Sequence, residues 1–496
     1  MKLVVQDMNI ATGGTPVVIL SKHDAHTLDL HPLDRLMVSF SGRSTTAVLD
    51  IAEKEGMVNH GRIGLFEEVL KILHVKSGEY IEVSLAPKPN SVLYIRQKLD
   101  GKTLAYPELK SIMQDVVHDK LSEIEIASYV TANYTRGMSL QEIRDLTHAM
   151  TDTGKSINFH KKKLVDLHCI GGVPGNRTTL IVVPILVAAG LFVPKTASRA
   201  ITSPAGTADT MEVLAPVSFS QKKLQHILNK SGGFIVWGGA MNLAPADEKI
   251  IRVEYPLSID AEGQMLASIM AKKTSVGATH VLIDIPVGNG SKVPDFANAS
   301  RLKSLFTTLG SQLGMKVKVM LSDGSEPIGN GIGPCLEAKD CLQVLEGEET
   351  PNDLRGKSLE MAASLLEFTG TAKTGKGRLL AERLLNSGKA WEAMQKIIQA
   401  QRGKHPTHTR ILQSRFSGDV IAARSGTISH VENSAITKVA RLAGAPVDKK
   451  AGVYLHSHKG NIIRRGDTLL TVYSESEEKL AFAKEFLKTT KCMLIK

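Results

Sequence analysis

The chain has 496 residues, more than one ordinary hydrophobic core accommodates, so two to four domains are expected. Hydrophobic residues make up 42% and aromatic residues 4%, and the mean hydropathy is −0.04, a composition typical of a water-soluble globular protein. The formal net charge is +11, but Lys and Arg are spread along the chain without a dense basic block. Small anionic substrates are therefore favoured over nucleic acid.

Neither the cysteines nor the apolar segments indicate secretion or a membrane. Cys169, Cys335, Cys341 and Cys492 show no CxxC spacing, which argues against a zinc site and a disulfide framework and favours a reducing cytoplasm. The start "MKLVVQDMNIATGG" lacks the apolar core of a signal peptide. The longest apolar run, "LIVVPILVAAGLFVP", is shorter than the ~20 residues of a membrane helix, so we expect a buried helix there.

The first half of the chain predicts a β domain followed by a helical domain. Residues 1–86 contain short alternating segments such as "KLVVQD", "PVVILS" and "EYIEVSL", which predict a β-rich, barrel-like domain. Residues 87–160 are predicted to be helical, and capping-box patterns begin at Ser122 and at Ser139.

Strands and helices alternate from residue 161 to about residue 405. The segments "KKLVDLH", "FIVWGG", "HVLIDIPVG" and "KVKVMLSDG" are predicted strands, which indicates a large α/β domain with a mostly parallel sheet, from which a segment can return to the helical domain. "GRLLAERLLNSGKAWEAMQKIIQAQRGK" predicts a long helix, and residues 406–496 predict a C-terminal β-rich domain. Ligands bind at the carboxyl ends of parallel strands, where the glycine-rich turns of this chain fall.

The turn "CIGGVPGN" after the first of these strands is a candidate anion site. Gly171, Gly172 and Gly175 allow the backbone to approach a ligand closely. The next helix would offer free N–H groups and its positive dipole end. The pattern is neither a Walker A loop nor GxGxxG, and a tight turn without a ligand fits these residues equally well.

The stretch "TASRAITSPAGTADTMEV" concentrates hydroxyl side chains around one arginine. Ser198, Thr202, Ser203 and Thr207 supply hydroxyl donors, and Arg199 supplies a planar fork suited to phosphate. Several short donors on one loop fit a phosphate or a ribose. The alternative is an ordinary loop that caps the following helix.

Further candidate groups lie in two later segments. Ser268 and Lys272 are four residues apart on one face of a predicted helix, and Asp260 precedes that helix. Lys292 follows a strand end in "IPVGNGSKVPD". Taken alone, Asp260 suits a helix cap, Lys272 a solvated surface and Lys292 a flexible loop. "SDGSEPIGNGIGPCLEA" is predicted to be a loop that walls the cleft and is assigned no chemistry.

Together these motifs resemble the thymidine phosphorylase family of nucleoside phosphorylases. That family carries a loop similar to Ser-Gly-Arg-Gly-Leu-Gly-His-Thr-Gly-Gly-Thr-x-Asp-x-x-Glu. The residues of "ASRAITSPAGTADTME" that keep its register are Arg199, Gly206, Thr207, Asp209 and Glu212. The family's His-Ser-Thr-Gly-Gly-Val resembles residues 168–173, and its Ser-x-x-x-Lys-Lys resembles residues 268–273. The resemblance covers about residues 90–490.

The departures from the family pattern indicate a nucleotide-specific branch. Ala200, Thr202 and Ser203 are among the residues that replace the loop's glycines and histidine, and "GGVPGN" is one residue longer than the family's turn. With the additional N-terminal β domain, these variations are similar to the archaeal-type AMP phosphorylases. Leu167 and Cys169 stand where thymidine phosphorylases tend to have Lys and Ser near the phosphate, which leaves open how phosphate is held.

The resemblance implies an enzyme that cleaves AMP, and also CMP and UMP, with inorganic phosphate to the free base and ribose 1,5-bisphosphate, in AMP degradation and salvage. It implies Asp260 as the proton donor to the leaving base, and Lys292 as the group that neutralises the 5′-phosphate. The implied substrate-binding residues are Gly172, Ser198, Arg199, Ala200, Ile201, Thr202, Ser203, Thr207, Ser268 and Lys292. His168, Thr179 and Lys272 are secondary candidates for contacts with the substrate. Phosphate is a co-substrate, and no cofactor or metal is expected.

Three alternatives stay open at this level. A thymidine or pyrimidine nucleoside phosphorylase shares the fold and reaction type but does not require the 5′-phosphate. Anthranilate-type phosphoribosyl transfer needs Mg²⁺ and an acidic metal motif that we do not find in the sequence, and a non-catalytic assembly protein conflicts with the intact set of loops. We also expect a cytoplasmic homo-oligomer, at least a dimer, that binds neither nucleic acid nor membranes.

Overall fold

The computed structural model describes residues 1–54, 56–200, 203–257, 259–404 and 407–496. The chain divides into two compact units, Met1–Gly137 with Lys249–Glu254, and Met138–Glu248 with Tyr255–Lys496. Among the described residues, no helix is long and apolar enough to cross a membrane.

A closed barrel of six described strands begins the first unit. Its strands are β1 (Lys2–Asp7), β2 (Val17–Ser21), β3 (Arg35–Phe40), β4 (Arg43–Ala52), β5 (Arg62–Leu65) and β6 (Tyr80–Leu85), and the short helices α1 (Lys22–Thr27) and α2 (Glu67–Leu73) lie between them. They close in the order β1-β5-β2-β4-β3-β6, and β1 pairs in parallel with β5, as β2 does with β4. Alternate residues such as Leu3, Val5 and Leu20 fill the barrel core. The predicted barrel-like domain is confirmed.

Helices follow the barrel as predicted. They are α3 (Asn90–Leu99), α4 (Tyr106–Val117), α5 (Glu123–Arg136) and α6 (Leu140–Asp152). Ser122 and Ser139 accept hydrogen bonds from the backbone nitrogens of Glu125 and Glu142, so both predicted capping boxes form.

The parallel sheet of the α/β domain lies in the second unit. Its strands are β7 (Val165–Cys169), β8 (Val193–Ala197), β9 (Gly233–Trp237), β10 (His280–Val287) and β11 (Lys316–Asp323). β10 lies between β11 and β7, β8 pairs with β9, and a parallel bridge between Leu164 and Phe192 connects the two sets. Because the pairings are parallel, the turns after β7, β8 and β10 lie at one edge.

Helices precede, separate and follow these strands along the chain. They are α7 (Thr179–Ala188), α8 (Thr207–Glu212), α9 (Gln221–Ser231), α10 (Pro245–Leu257), α11 (Glu262–Ser275), α12 (Phe296–Gln312), α13 (Pro334–Glu346), α14 (Asn352–Phe368), α15 (Gly377–Asn386) and α16 (Lys389–Ala400). Residues 180–186 of α7 are buried, as expected for the long apolar run. The long helix predicted near residue 388 is instead two helices, because Gly388 adopts φ +77° and ends the helical path.

The C-terminal domain is β-rich, as predicted, with helices on its strands. Its elements are β12 (Gly331–Ile332), β13 (Phe416–Ile421), β14 (Gly426–Val431), α17 (Asn433–Leu442), β15 (Gly452–Leu455), β16 (Ile462–Ile463), β17 (Thr468–Ser474), α18 (Glu477–Thr489) and β18 (Met493–Ile495). The strand orders are β12-β15-β17-β13 and β16-β14-β18. The prediction that "SDGSEPIGNGIGPCLEA" is only a loop is wrong. Part of it forms β12, which pairs with β15, and Pro334 then begins α13.

Candidate active site

The glycine-rich turn after β7 lies against the loop after β10. Gly172 has φ +90°, and a Cβ atom placed on it would lie 2.4 Å from the backbone nitrogen of Lys292. Both the left-handed backbone and this close approach require glycine. The turn therefore fixes the position of the Lys292 backbone at the carboxyl edge of the sheet.

Lys292 reaches Asp260, the predicted proton donor. Its ammonium group donates a hydrogen bond to Asp260 Oδ2, and the two side chains are 42% and 46% exposed. The N-cap of α11 is Ala261, so Asp260 does not serve as the helix cap. The structure thus brings Gly172, Lys292 and Asp260 together at an open rim.

Ser268 and Lys272 face each other on α11, as their spacing predicted. Lys272 Nζ lies 3.4 Å from Ser268 Oγ. The same ammonium group lies 2.7 Å from Asp247 Oδ2 on α10, and the Asp247 side chain is buried. Lys272 is therefore held by a buried carboxylate rather than solvated on the surface.

His168 lies where positive charges from several elements act together. Burial lowers the pKa of His168 well below its ordinary value, and the charges of Lys273, Lys195, Lys272 and Lys292 lower it further. The imidazole is accordingly neutral near pH 7. Lysines around a neutral ring create a positive potential at the end of β7, which favours an anion.

Neither Leu167 nor Cys169 offers a charged side chain to a phosphate. The Leu167 side chain is buried, and its carbonyl oxygen accepts a hydrogen bond from Lys195 Nζ. Cys169 Sγ accepts a hydrogen bond from Asn176 Nδ2 at 3.1 Å, and burial raises the pKa of the Cys169 thiol to about 12. Because the thiol stays protonated, an anion bound here would have to be held by backbone N–H groups and nearby lysines.

Thr179, a secondary candidate for substrate contact, is the first residue of α7.

The hydroxyl-rich loop after β8 folds around Asp209. Asp209 Oδ2 accepts hydrogen bonds from the backbone nitrogens of Ala200 at 2.7 Å and of Gly206 at 3.0 Å. Gly206 also packs on the start of the loop, since a Cβ atom there would lie 2.7 Å from the carbonyl oxygen of Ser198. Ile201 and Thr202 lie outside the described residues, and their substrate contacts stay predictions.

The Arg199 guanidinium group, expected to bind phosphate, is instead hydrogen-bonded to carboxylates of the protein. Its guanidinium donates to both oxygens of Glu212 at 2.7 Å and to Asp209 Oδ1 at 3.0 Å, and it stacks 4.9 Å from the Trp237 ring centroid. The hydrogen bond with Arg199 is the main reason that the pKa of Glu212 falls to about 2. In this structure Arg199 fastens the loop to α8.

Arg177 connects the β7 turn with the β8 loop. Its guanidinium donates to Thr207 Oγ1 at 3.2 Å and to the carbonyl oxygen of Ala205 at 2.7 Å, and it pairs with the buried Glu337. The hydroxyl of Ser203 donates to the same carbonyl oxygen at 3.0 Å. The two segments that the sequence singled out separately are therefore tied by one side chain.

Comparison with known proteins identifies the family. Residues 92–154 match the glycosyl transferase family helical bundle domain, residues 161–391 match the a/b domain of that family, and residues 427–492 match the pyrimidine nucleoside phosphorylase C-terminal domain. A putative thymidine phosphorylase of Legionella pneumophila (strain Paris) is 43% identical over 475 residues, which cover 95% of this chain and 91% of the relative. The chain belongs to the thymidine and pyrimidine nucleoside phosphorylase family.

A second group of relatives in this phosphorylase family carries another name. AMP phosphorylase of Methanosarcina mazei is 44% identical over 482 residues, which cover 97% of this chain and 94% of the relative. The solved structure of anthranilate phosphoribosyltransferase from Thermus thermophilus covers 62% of this chain and 99% of its own, with a TM-score of 0.52 and 19% identity. That likeness shows a shared fold alone. The predicted family and the resemblance to archaeal AMP phosphorylases are confirmed.

Sequence reasoning missed a group of buried charges centred on β7. Asp166 in β7 lies 3.5 Å from Lys195 in β8 and 2.7 Å from Lys273 in α11. A signal existed, because Asp166 and Lys195 interrupt apolar strands, and a charge in a buried parallel strand has to be paired. No comparable signal singled out Arg177, whose partners are distant in sequence.

Proposed function

We propose that this enzyme is a nucleotide phosphorylase that cleaves AMP with inorganic phosphate to adenine and ribose 1,5-bisphosphate, with CMP and UMP as further substrates. The observation that carries the proposal is the contact between Lys292 and Asp260 beside Gly172. A cation next to a carboxyl group suits a substrate that presents an anionic group near its leaving base. The 44% identity to an AMP phosphorylase over 97% of the chain supports the same substrate class.

Asp260 is assigned as the acid that protonates the leaving base. Phosphorolysis gives the sugar oxocarbenium character and the base negative charge, so a proton donor lowers the barrier. In the structure Lys292 pairs with Asp260. When the 5′-phosphate takes over Lys292, two nearby phosphates favour the protonated carboxyl group. Substrate binding would thereby prepare the acid.

The attacking phosphate is assigned to the turn after β7. The positive potential around His168 and the backbone N–H group of Gly172 suit an oxyanion, with no cofactor required. Ser268 and the Ser198–Thr207 loop, braced by Asp209, then contact the phosphorylated ribose and the rest of the nucleotide. We further propose that the enzyme acts in the cytoplasm as a homo-oligomer of at least two chains.

Release of free base from AMP and from thymidine, each with and without phosphate, tests the proposal. Chromatography should detect adenine only when AMP and phosphate are both present, and phosphorus NMR should show ribose 1,5-bisphosphate. Thymine from thymidine, with AMP left intact, would indicate instead a thymidine phosphorylase, the activity named for the Legionella relative. Adenine release without phosphate would refute phosphorolysis.

A further inference from the structure

Two buried lysines share one buried carboxylate of β7. Asp166, Lys195 and Lys273 form this lysine–aspartate triad, with side chains 0%, 4% and 2% exposed. Lys195 also donates to the carbonyl oxygen of Leu167 on the neighbouring strand. Within the described part of the chain, Asp166 is the one carboxylate at ion-pair distance from either lysine.

The triad carries one unbalanced positive charge when both lysines are protonated. A buried charge without a partner is unfavourable, so such a group either loses its proton or gains a counter-ion. Burial lowers the pKa of Lys273 to about 7, and the charges of Lys195 and Lys272 oppose the attraction of Asp166. Without a bound anion, Lys273 is therefore mostly neutral at pH 8.

His168 is the group at which the positive charge of the triad acts together with that of other lysines. Positive charges from β8, from α11 and from the loop after β10 all act on this imidazole. Among these lysines, Lys272 and Lys292 have carboxylate partners of their own, Asp247 and Asp260. The unbalanced charge is thus that of the triad, and it acts at His168, close to the end of β7 and the start of the turn.

We propose that the triad is the cationic floor of the anion site and that an anion bound at the β7 turn brings a proton onto Lys273. The inference rests on the proposed function, in which this anion is the phosphate co-substrate. Both triad lysines act on the anion through their charge and are positioning residues.

Calorimetric titration of the wild-type enzyme with sodium sulfate tests the inference. Sulfate is a tetrahedral dianion that does not titrate between about pH 7 and pH 9, so any proton exchanged comes from the protein. Titrations in buffers of different ionisation enthalpy count the protons taken up. We expect uptake to approach one proton per sulfate near pH 8.5 and to decline toward pH 6, where Lys273 is already protonated. The sulfate Kd should rise by up to about tenfold per pH unit above pH 7.

Lys195→Met separates this charge effect from packing. Lys195→Met removes a like charge that disfavours protonation of Lys273, while Asp166 remains, so Lys273 keeps its proton to a higher pH in the free protein. We expect the proton uptake at pH 8.5 to decrease clearly and sulfate to bind at least about tenfold more weakly. Lys98→Met in α3 is the matched control, since Lys98, like Lys195, is a buried lysine, and it should leave the proton count unchanged.

Three results would overturn the inference: no sulfate binding, sulfate binding without proton uptake, or uptake in Lys195→Met that equals that of the wild type. If adenine is still released only from AMP with phosphate, the proposed function stands and the inference falls. Proton uptake linked to sulfate, in a protein that leaves AMP and thymidine intact, would support the triad and refute the proposed function.

Discussion

Replacing Gly172 with alanine tests whether the β7 turn positions Lys292. The added Cβ atom would lie 2.4 Å from the Lys292 nitrogen and 3.1 Å from the carbonyl carbon of Ser291. Ordinary van der Waals contact begins at 3.4 Å, so the turn and the loop after β10 have to separate by about 1 Å. Lys292 then moves relative to Asp260.

Two effects add up in Gly172→Ala. Alanine at φ +90° destabilises the folded protein by about 1–2 kcal/mol. In addition, a displacement of about 1 Å in a group that positions substrate lowers the rate on the order of 100-fold. We expect kcat/KM for AMP phosphorolysis to fall by this factor.

Gly190→Ala is the matched control. Gly190 has φ +86°, and nothing lies within 4 Å of an added Cβ atom, so the backbone strain is similar and the collision is missing. Thermal denaturation should show comparable destabilisation of both variants, whereas adenine release at saturating phosphate should be impaired in Gly172→Ala alone. Equal kcat/KM in the two variants would refute the reasoning.

The other predictions concern Asp260, Lys292 and the ion pair between Arg199 and Glu212. Asp260→Asn removes the proton while keeping the shape, so kcat for AMP should fall about 10²–10⁴-fold with KM little changed in steady-state kinetics, and near-normal turnover would exclude the acid role. Lys292→Ala should raise the KM for AMP by about tenfold, whereas Lys303→Ala on the exposed face of α12 should not, and an unchanged kcat/KM would remove Lys292 from the substrate site. The pKa of Glu212, about 2 against an ordinary 4.5, means that its pair with Arg199 stabilises the fold above pH 4.5 and is lost as pH falls toward 2. The Tm of Arg199→Ala should therefore fall less than that of wild type between about pH 5 and pH 3, and parallel curves would contradict this role.

Most of the architecture follows from short-range patterns in the chain. Alternating apolar residues predicted the barrel strands, because side chains of a strand alternate between its faces. Ser122 and Ser139 marked helix starts, because a cap needs only residues three positions apart. The prediction of one long helix passed over a local signal at Gly388, because a glycine with a left-handed backbone commonly ends a helix.

The partners of the charged side chains depend on the tertiary structure. The resemblance kept Arg199, Asp209 and Glu212 in register, yet only the folded loop shows that the guanidinium binds these carboxylates. Likewise, Asp166 and Lys195 are 29 positions apart and meet because β7 and β8 are neighbours in the sheet. Strand order and burial decide which carboxylate pairs with a given cation. Because the paired residues are far apart in sequence, no short-range pattern in the sequence predicts these contacts.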